Sequence, residues 1–317
     1  MRGQEARYTR AAEHAPVVIY VAAMLPSMSN LPLMPNVEEV VRAKADLAMR
    51  YEDVCQDGRL MTIAMPHALT SLWRKSVQAM PIWEARNVGI IPILAQLWIR
   101  GTDERIHVGK PTFCEGEALL AHTRDEDGSV GRILLDMRAR IYATRGSVLG
   151  PQPKGAGETV LAGEVFARHV FTKLFAAPGD RRVRKLDVTG VPEVPPCQVT
   201  WVRPEEMLPV GPDAVWLDPE PRAAAYEPLF GPHHCDSNQH VNSLVYPRLF
   251  EDAAQVRISG HSRLSREVAL NFRRPFFAGQ QCTMQLQALE EGGALGVCGH
   301  FAGPDEKTHC DVRMRFQ

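Results

Sequence analysis

The chain has 317 residues, 45% of them hydrophobic and 23% charged, with a formal net charge of −1. That length suits two domains, or one domain built from two repeats, around a packed core. Near neutrality gives no general attraction to nucleic acid or anionic lipid. Seven scattered cysteines without a C-x-x-C pair predict free thiols in a reducing, cytoplasmic compartment and no disulfide framework.

The first apolar run, "APVVIYVAAMLPSM", follows Arg2, Arg7 and Arg10 and has the make-up of a short signal-peptide core. Glu5, Glu13 and His14 interrupt its basic flank, and no A-x-A site follows. The expectation is an extended arm or strand packed on the body, too short to span a bilayer. From Tyr51 the chain reads as a turn followed by a helix near 66–80. Aligning Tyr51 with Tyr226 without gaps puts a second turn and a second helix, near 242–257, in register with the first. Downstream, "RIHVGKPTFCEGEALLAH" (105–122) resembles "ALNFRRPFFAGQQCTMQL" (269–286), with Pro111 against Pro275. "ILLDMRARIYA" and, in the second copy, "CDVRMRF" place apolar groups on alternate positions, as half-buried strands do. Between the copies lies the Gly/Pro stretch "SVLGPQPKGAGETV". After it, Val165, Phe166, Val170, Phe171, Leu174 and Phe175 fall on one helical face that ends at Pro178-Gly179, predicting a helix over 163–178. The Pro-rich stretch 191–221 reads as loop with short strands. The division expected is 1–150, a degenerate first copy with its arm; 151–221, a linker with one helix; and 222–317, the copy that carries chemistry. Each lone helix is the natural cover for its antiparallel sheet, so the class is α+β.

The copies differ in polarity. In the ungapped register Asp236, Asn238, His240 and Asn242 lie over Met61, Ile63, Met65 and His67, and Glu251 lies over Ser76. A helix that only covers a sheet needs no such cluster. The stretch "DSNQHVNSLVYPRLFED" resembles the signature of hotdog-fold acyl-thioester hydrolases, in particular the plant and bacterial acyl-ACP thioesterases. Asp236, Asn238, Gln239, His240, Val241, Asn242, Tyr246 and Glu251 match that pattern, and Ser243 replaces its second Asn. The resemblance implies a tandem (double) hotdog, each long helix wrapped by a curved antiparallel sheet, with a degenerate first half and no cofactor. It departs where the plant enzymes carry a Glu-Cys pair: Pro275 and Phe276 stand there, as in simpler acyl-CoA hotdogs that rely on one Asp near the helix start.

A thioester carbonyl is electrophilic and its thiol leaves with a pKa of about 8.5, so the site needs a base or nucleophile and a home for the oxyanion. Asp236 could activate water or attack the carbonyl. Asn238 could orient the carbonyl or cap the helix. His240 could act as base or hold water. Unpaired N–H groups over 241–245, at the helix start, would favour the oxyanion. Asn242 and Tyr246 support the site, and Glu251 is either a supporting or a structural carboxylate. Adjacent ligands at His233, His234, Cys235 and His240 make poor tetrahedral geometry, so no metal is expected. Cys235 reads as a small buried residue. Pro247 inside the helix would cost ~3 kcal/mol unless a helical segment starts there.

The expected substrate is an acyl thioester of acyl carrier protein or CoA. Phe272, Phe276, Phe277, Leu244 and Leu249 are candidate walls for the acyl chain, or ordinary core. Arg248, Arg273 and Arg274 could meet CoA phosphates or an acidic carrier. A homodimer of double hotdogs is a further expectation. No Walker or dinucleotide-binding motif appears. Two rival classes stand beside hydrolysis: a dehydratase or conjugate-addition enzyme acting on an enoyl thioester, and a non-catalytic acyl-thioester-binding protein.

Overall fold

The structure is a computed structural model that describes residues 31–76, 80–173, 176–203, 210–258 and 264–316. The arm expected over 15–28 lies outside the described residues. The described chain runs β1 (Val41–Asp46), α1 (His67–Ser76), β2 (Ile90–Gly101), β3 (Thr112–Arg124), β4 (Val130–Thr144), β5 (Thr159–Lys173), β6 (Cys197–Gln198), β7 (Val215–Trp216) and β8 (Arg222–Ala223). It continues with α2 (Val245–Arg257), β9 (Ser265–Phe272), β10 (Thr283–Glu291), β11 (Ala294–Ala302) and β12 (Thr308–Phe316).

One sheet unites the strands, in the order β1-β3-β4-β5-β2-β9-β12-β11-β10-β7, with β8 also on β10 and β6 beside β3. All pairings but β3 with β6 are antiparallel. The order is mirrored about its middle. The β2-β5-β4-β3 series matches β9-β12-β11-β10, and β2 pairs directly with β9 from Gln96↔Asn271 to Arg100↔Glu267. The strand order thus repeats, but with equivalences shifted from those read from the letters. "ALNF" ends β9, whose partner by topology is β2, and Pro111, just ahead of β3, answers to Cys282, just ahead of β10.

Local sequence explains the better-read strands. In β10, Met284, Leu286 and Ala288 are buried while Thr283, Gln285 and Gln287 are half-buried, the alternation of a strand. Its turn into β11 has two residues, Gly292 and Gly293, both at positive φ (57° and 74°), which a type I′ hairpin demands. The helices lie on one face. α1 packs on β1, β3 and β4, and α2 on β9, β10 and β12. Leu72 sits over Gly116, where an added Cβ would come within 2.0 Å of it. α2 buries a broad stripe of Tyr246, Pro247, Phe250, Glu251, Ala253 and Ala254.

Over 163–173 the expected helix is instead β5, paired with β4 and β2, so the first half of the sheet extends past residue 150 to 173, while Leu174 and Phe175 lie outside the described residues. The physical reason is burial on both faces. Toward the helices lie Val165 and Ala167; on the other face Phe166 packs edge-on against Trp98 at 5.4 Å. Part of that outer face is covered by the stretch 195–203. Pro195 O bonds to His122 Nδ1 (2.8 Å), Arg168 donates to Thr200 O (3.0 Å), and Gln96 Nε2 donates to Val202 O (2.9 Å). Farther along it, Glu164 is 4% exposed and receives guanidinium N–H groups from Arg100, Arg138 (2.8 Å) and Arg140 (3.3 Å).

Candidate active site

Residues 234–242 form a tight hairpin ahead of α2. Asp236 N–H donates to His240 O (2.9 Å), Gln239 N–H to Asp236 O (2.9 Å), and Asn242 N–H to His234 O (2.8 Å). Gln239 takes the left-handed conformation, φ 64°, at a cost of roughly 1 kcal/mol. Cys235 and Val241 pair across the hairpin and pack on the core. Asp236 and His240, the next pair toward the tip, therefore present their side chains on the opposite face. The hairpin is clipped to the loop after β9, with Val241 N–H donating to Phe276 O (2.8 Å) and His240 bridging Phe277.

The polar groups are only partly used. Asp236 Oδ1 accepts the Asn238 N–H at 2.8 Å. Its other carboxylate oxygen, the Asn238 amide and the His240 imidazole have no hydrogen-bond partner among the described residues. His240 stands edge-on to Phe277, ring centroids 5.1 Å apart, and Phe277 is 44% exposed. Asn242 is a capping residue: its Oδ1 accepts the Leu244 N–H (2.9 Å) and its carbonyl the Val245 N–H (2.9 Å). The expected row of free N–H donors over 241–245 thus reduces to one. Those of Val241, Asn242, Leu244 and Val245 are engaged, and that of Ser243 has no partner among the described residues.

Pro247 is the third residue of α2, inside the first turn, where its missing N–H would have had no intrahelical partner. Pro247→Ala is accordingly expected to change the unfolding free energy, read from urea titration, by less than ~1 kcal/mol, whereas relief of a mid-helix proline would add ~3 kcal/mol.

Behind the hairpin lies an aromatic cluster. Tyr246 packs on Phe272 (5.4 Å) and Phe301 (5.3 Å), and its hydroxyl accepts the Phe276 N–H at 3.4 Å. Burial pushes the Tyr246 phenol well above its usual range. Phe276 is fully buried and stacks on His309 at 3.9 Å, and His309 Nδ1 bonds to Pro275 O (3.1 Å), fixing the loop that holds the hairpin. Phe276 is core here; Phe277, Leu244 and Leu249 keep partial exposure.

Glu251 lies away from the hairpin. It accepts the Ser265 N–H at 2.5 Å at the start of β9, and the Ser265 hydroxyl meets Thr62 Oγ1 of the first half at 2.7 Å. Burial pushes its carboxyl up. Arg273 is tied to Asp311 (2.6 Å) and Arg274 to Asp305 (3.4 Å), both beside the clipping loop, while Arg248 is exposed on α2.

The first half holds the same hairpin, and the sequence alignment missed it. Cys55 N–H donates to Arg59 O (2.9 Å), Gly58 N–H to Cys55 O (2.9 Å), and Met61 N–H to Asp53 O (2.9 Å); Val54 bridges Leu60, and Gly58 has φ 88°. The short 3-10 turn that opens each hairpin starts at Tyr51 in the first half and at Pro232 in the second, so six extra residues follow Tyr226. The positions under Asp236, Asn238 and His240 are therefore Cys55, Asp57 and Arg59, not Met61, Ile63 and Met65. The positive-φ glycine in "CQDGRL" was the signal that could have set this register.

All seven cysteines are free thiols. Among the described residues no group of three or more His, Cys, Asp or Glu is placed to hold a metal ion, and no helix is long and apolar enough to cross a membrane. No protein-family model and no curated protein matches the sequence. Solved structures do match the fold. A Lactobacillus plantarum protein assigned as an oleoyl thioesterase superposes with a TM-score of 0.58 at 13% identity, covering 88% of this chain and 97% of that one. An acyl-ACP thioesterase from Bacteroides thetaiotaomicron gives 0.55 at 13%, covering 88% and 98%. The 12:0-ACP thioesterase of Umbellularia californica gives 0.51 at 16%, covering 90% and 99%. At such identities the likeness is one of fold, a hotdog-type antiparallel sheet with few helices, over most of the chain.

Proposed function

We propose that this chain is a tandem double hotdog that hydrolyses an acyl thioester, of acyl carrier protein or CoA, to a free acid and a thiol. In this reading the first half is residues 31–173, the stretch 176–221 is the linker, and the chemistry belongs to 222–316. The observation that carries the reading is the face shared by Asp236 and His240. A carboxylate oxygen and an imidazole stand there without hydrogen-bond partners among the described residues, on a hairpin that opens directly onto the start of α2.

Asp236 takes a proton from water as the water oxygen bonds to the thioester carbon. His240 holds that water, and its ring is oriented by Phe277. The carbonyl oxygen gains the charge beside the Ser243 N–H and the positive end of α2. Collapse of the tetrahedral adduct breaks the C–S bond and releases a thiolate, which is stable enough, with a thiol pKa of about 8.5, to leave without a strong acid. Tyr246 and Asn242 fix the hairpin on the helix, and Glu251 ties α2 to β9. Phe277, Leu244 and Leu249 flank the acyl chain, while Arg248, Arg273 and Arg274 offer positive charge to the carrier.

The test is a thiol-release assay over acyl-CoA and acyl-carrier thioesters of several lengths, with product masses determined. Free acid with stoichiometric thiol is the expected outcome. An intact thioester changed by the mass of water would overturn it in favour of hydration or dehydration chemistry.

A further inference from the structure

We infer that the first-half hairpin, together with the start of β9, is a second ligand site, one that takes a small oxyanion of the phosphate class between Arg59 and Arg266. The inference is independent of the thioester reading, because it uses none of the residues on the second-half hairpin.

Arg59 occupies the place that His240 holds in the second hairpin, and Arg266 comes from the other half of the chain. Both guanidinium-bearing side chains are largely withdrawn from solvent, at 14% and 7% exposure. They meet on one atom: Oδ1 of Asp103 lies 2.5 Å from Arg266 and 3.6 Å from Arg59. Asp103 itself is 84% exposed, on the turn after β2. A surface carboxylate with almost no packing of its own thus fills a cradle made by two well-packed cations.

The rest of the cradle is fixed. Asp57 holds Arg59 Nε at 2.5 Å and accepts the Cys55 thiol at 2.7 Å, Arg266 also donates to Thr102 O, and Arg266 Nε is buried without a partner among the described residues. Burial, and then the nearby Arg59, make the charge on Arg266 costly to hold. Asp103 and Asp57 offset part of that cost, and an added dianion in the place of Asp103 offsets more of it. A tetrahedral oxyanion offers enough acceptors for both guanidinium groups at once. It enters by displacing Asp103, whose side chain swings into water with little loss of contact.

Isothermal titration of the purified full chain with inorganic phosphate, and separately with ADP, tests this, with unfolding temperature as a second readout. Phosphate is expected to bind, about tenfold tighter in Asp103→Asn, where the competing charge is gone, and to lose binding in Arg59→Gln. ADP binding that phosphate displaces, with the same response to both variants, assigns the oxyanion to a nucleotide. Phosphate binding without ADP binding assigns it to the free ion. Asp103→Asn changes only an exposed side chain, so it reports even if Arg59→Gln folds poorly. Absence of binding of either ligand to wild type and Asp103→Asn, or affinity indifferent to Asp103→Asn, overturns the inference.

Discussion

Asp236→Asn is expected to reduce thiol release by 10²–10⁴-fold, about 3–5 kcal/mol of barrier, with the urea midpoint nearly unchanged. The amide oxygen can still accept the Asn238 N–H that Asp236 Oδ1 accepts at 2.8 Å, so the hairpin keeps its turn. What disappears is the basic oxygen that has no partner among the described residues. Among the described residues no other carboxylate is joined to the hairpin to take its place. Glu251 is committed to Ser265, and Asp311 and Asp305 to Arg273 and Arg274. His240→Ala should cost less, because in the proposed reaction the imidazole holds the water without receiving its proton. If Asp236→Asn turns over at the wild-type rate while His240→Ala is dead, the base is His240.

Glu164→Ala is expected to lower stability by about 3–5 kcal/mol, seen as a drop in the urea midpoint. Its carboxylate is the shared acceptor for Arg100, Arg138 and Arg140, and Arg138 is itself buried. Removing the carboxylate strands that guanidinium in the sheet. The pH dependence has a definite sign. Burial alone would raise the Glu164 pKa, but Arg100 and Arg138 outweigh it and hold the group below its ordinary value. Its stabilisation is therefore full above the unfolded pKa of about 4.3 and is lost as pH falls through the lower folded value. Below about pH 4 the gap between wild type and Glu164→Ala should narrow.

What could be read from the letters alone follows from where water reaches the chain. β10 and β12 alternate because one face is more buried than the other, and the two-glycine turn after Glu291 has a conformation few other residues take. β2 and β5 carry apolar residues on both faces, because 195–203 and Leu31 cover the outer side. With no period of two to find, Val165, Phe166, Val170 and Phe171 also fitted a helix. The candidate site was legible at Asp236, Asn238 and His240, whose residue types have no place in a purely apolar cover. Its twin was not, because the two hairpins share hydrogen bonds and φ angles but few side chains. Six residues after Tyr226 displaced the alignment.

The β2–β9 pairing also sets a schedule for synthesis. β2 ends at residue 101, and its partner is complete only at residue 272. At 5–20 residues per second, that interval is roughly 10–30 s. Once β5 is complete at residue 173 the first half can close around α1, and until β9 follows, the Gln96–Arg100 side of β2 remains an unpaired, apolar strand edge. Neighbouring nascent chains on one message present the same edge, so self-association during translation competes with completion of the fold. Slower elongation between codons 102 and 264 lengthens that window and should divert chains into aggregates. A chaperone that shields the edge should raise the yield of folded protein without altering its final stability.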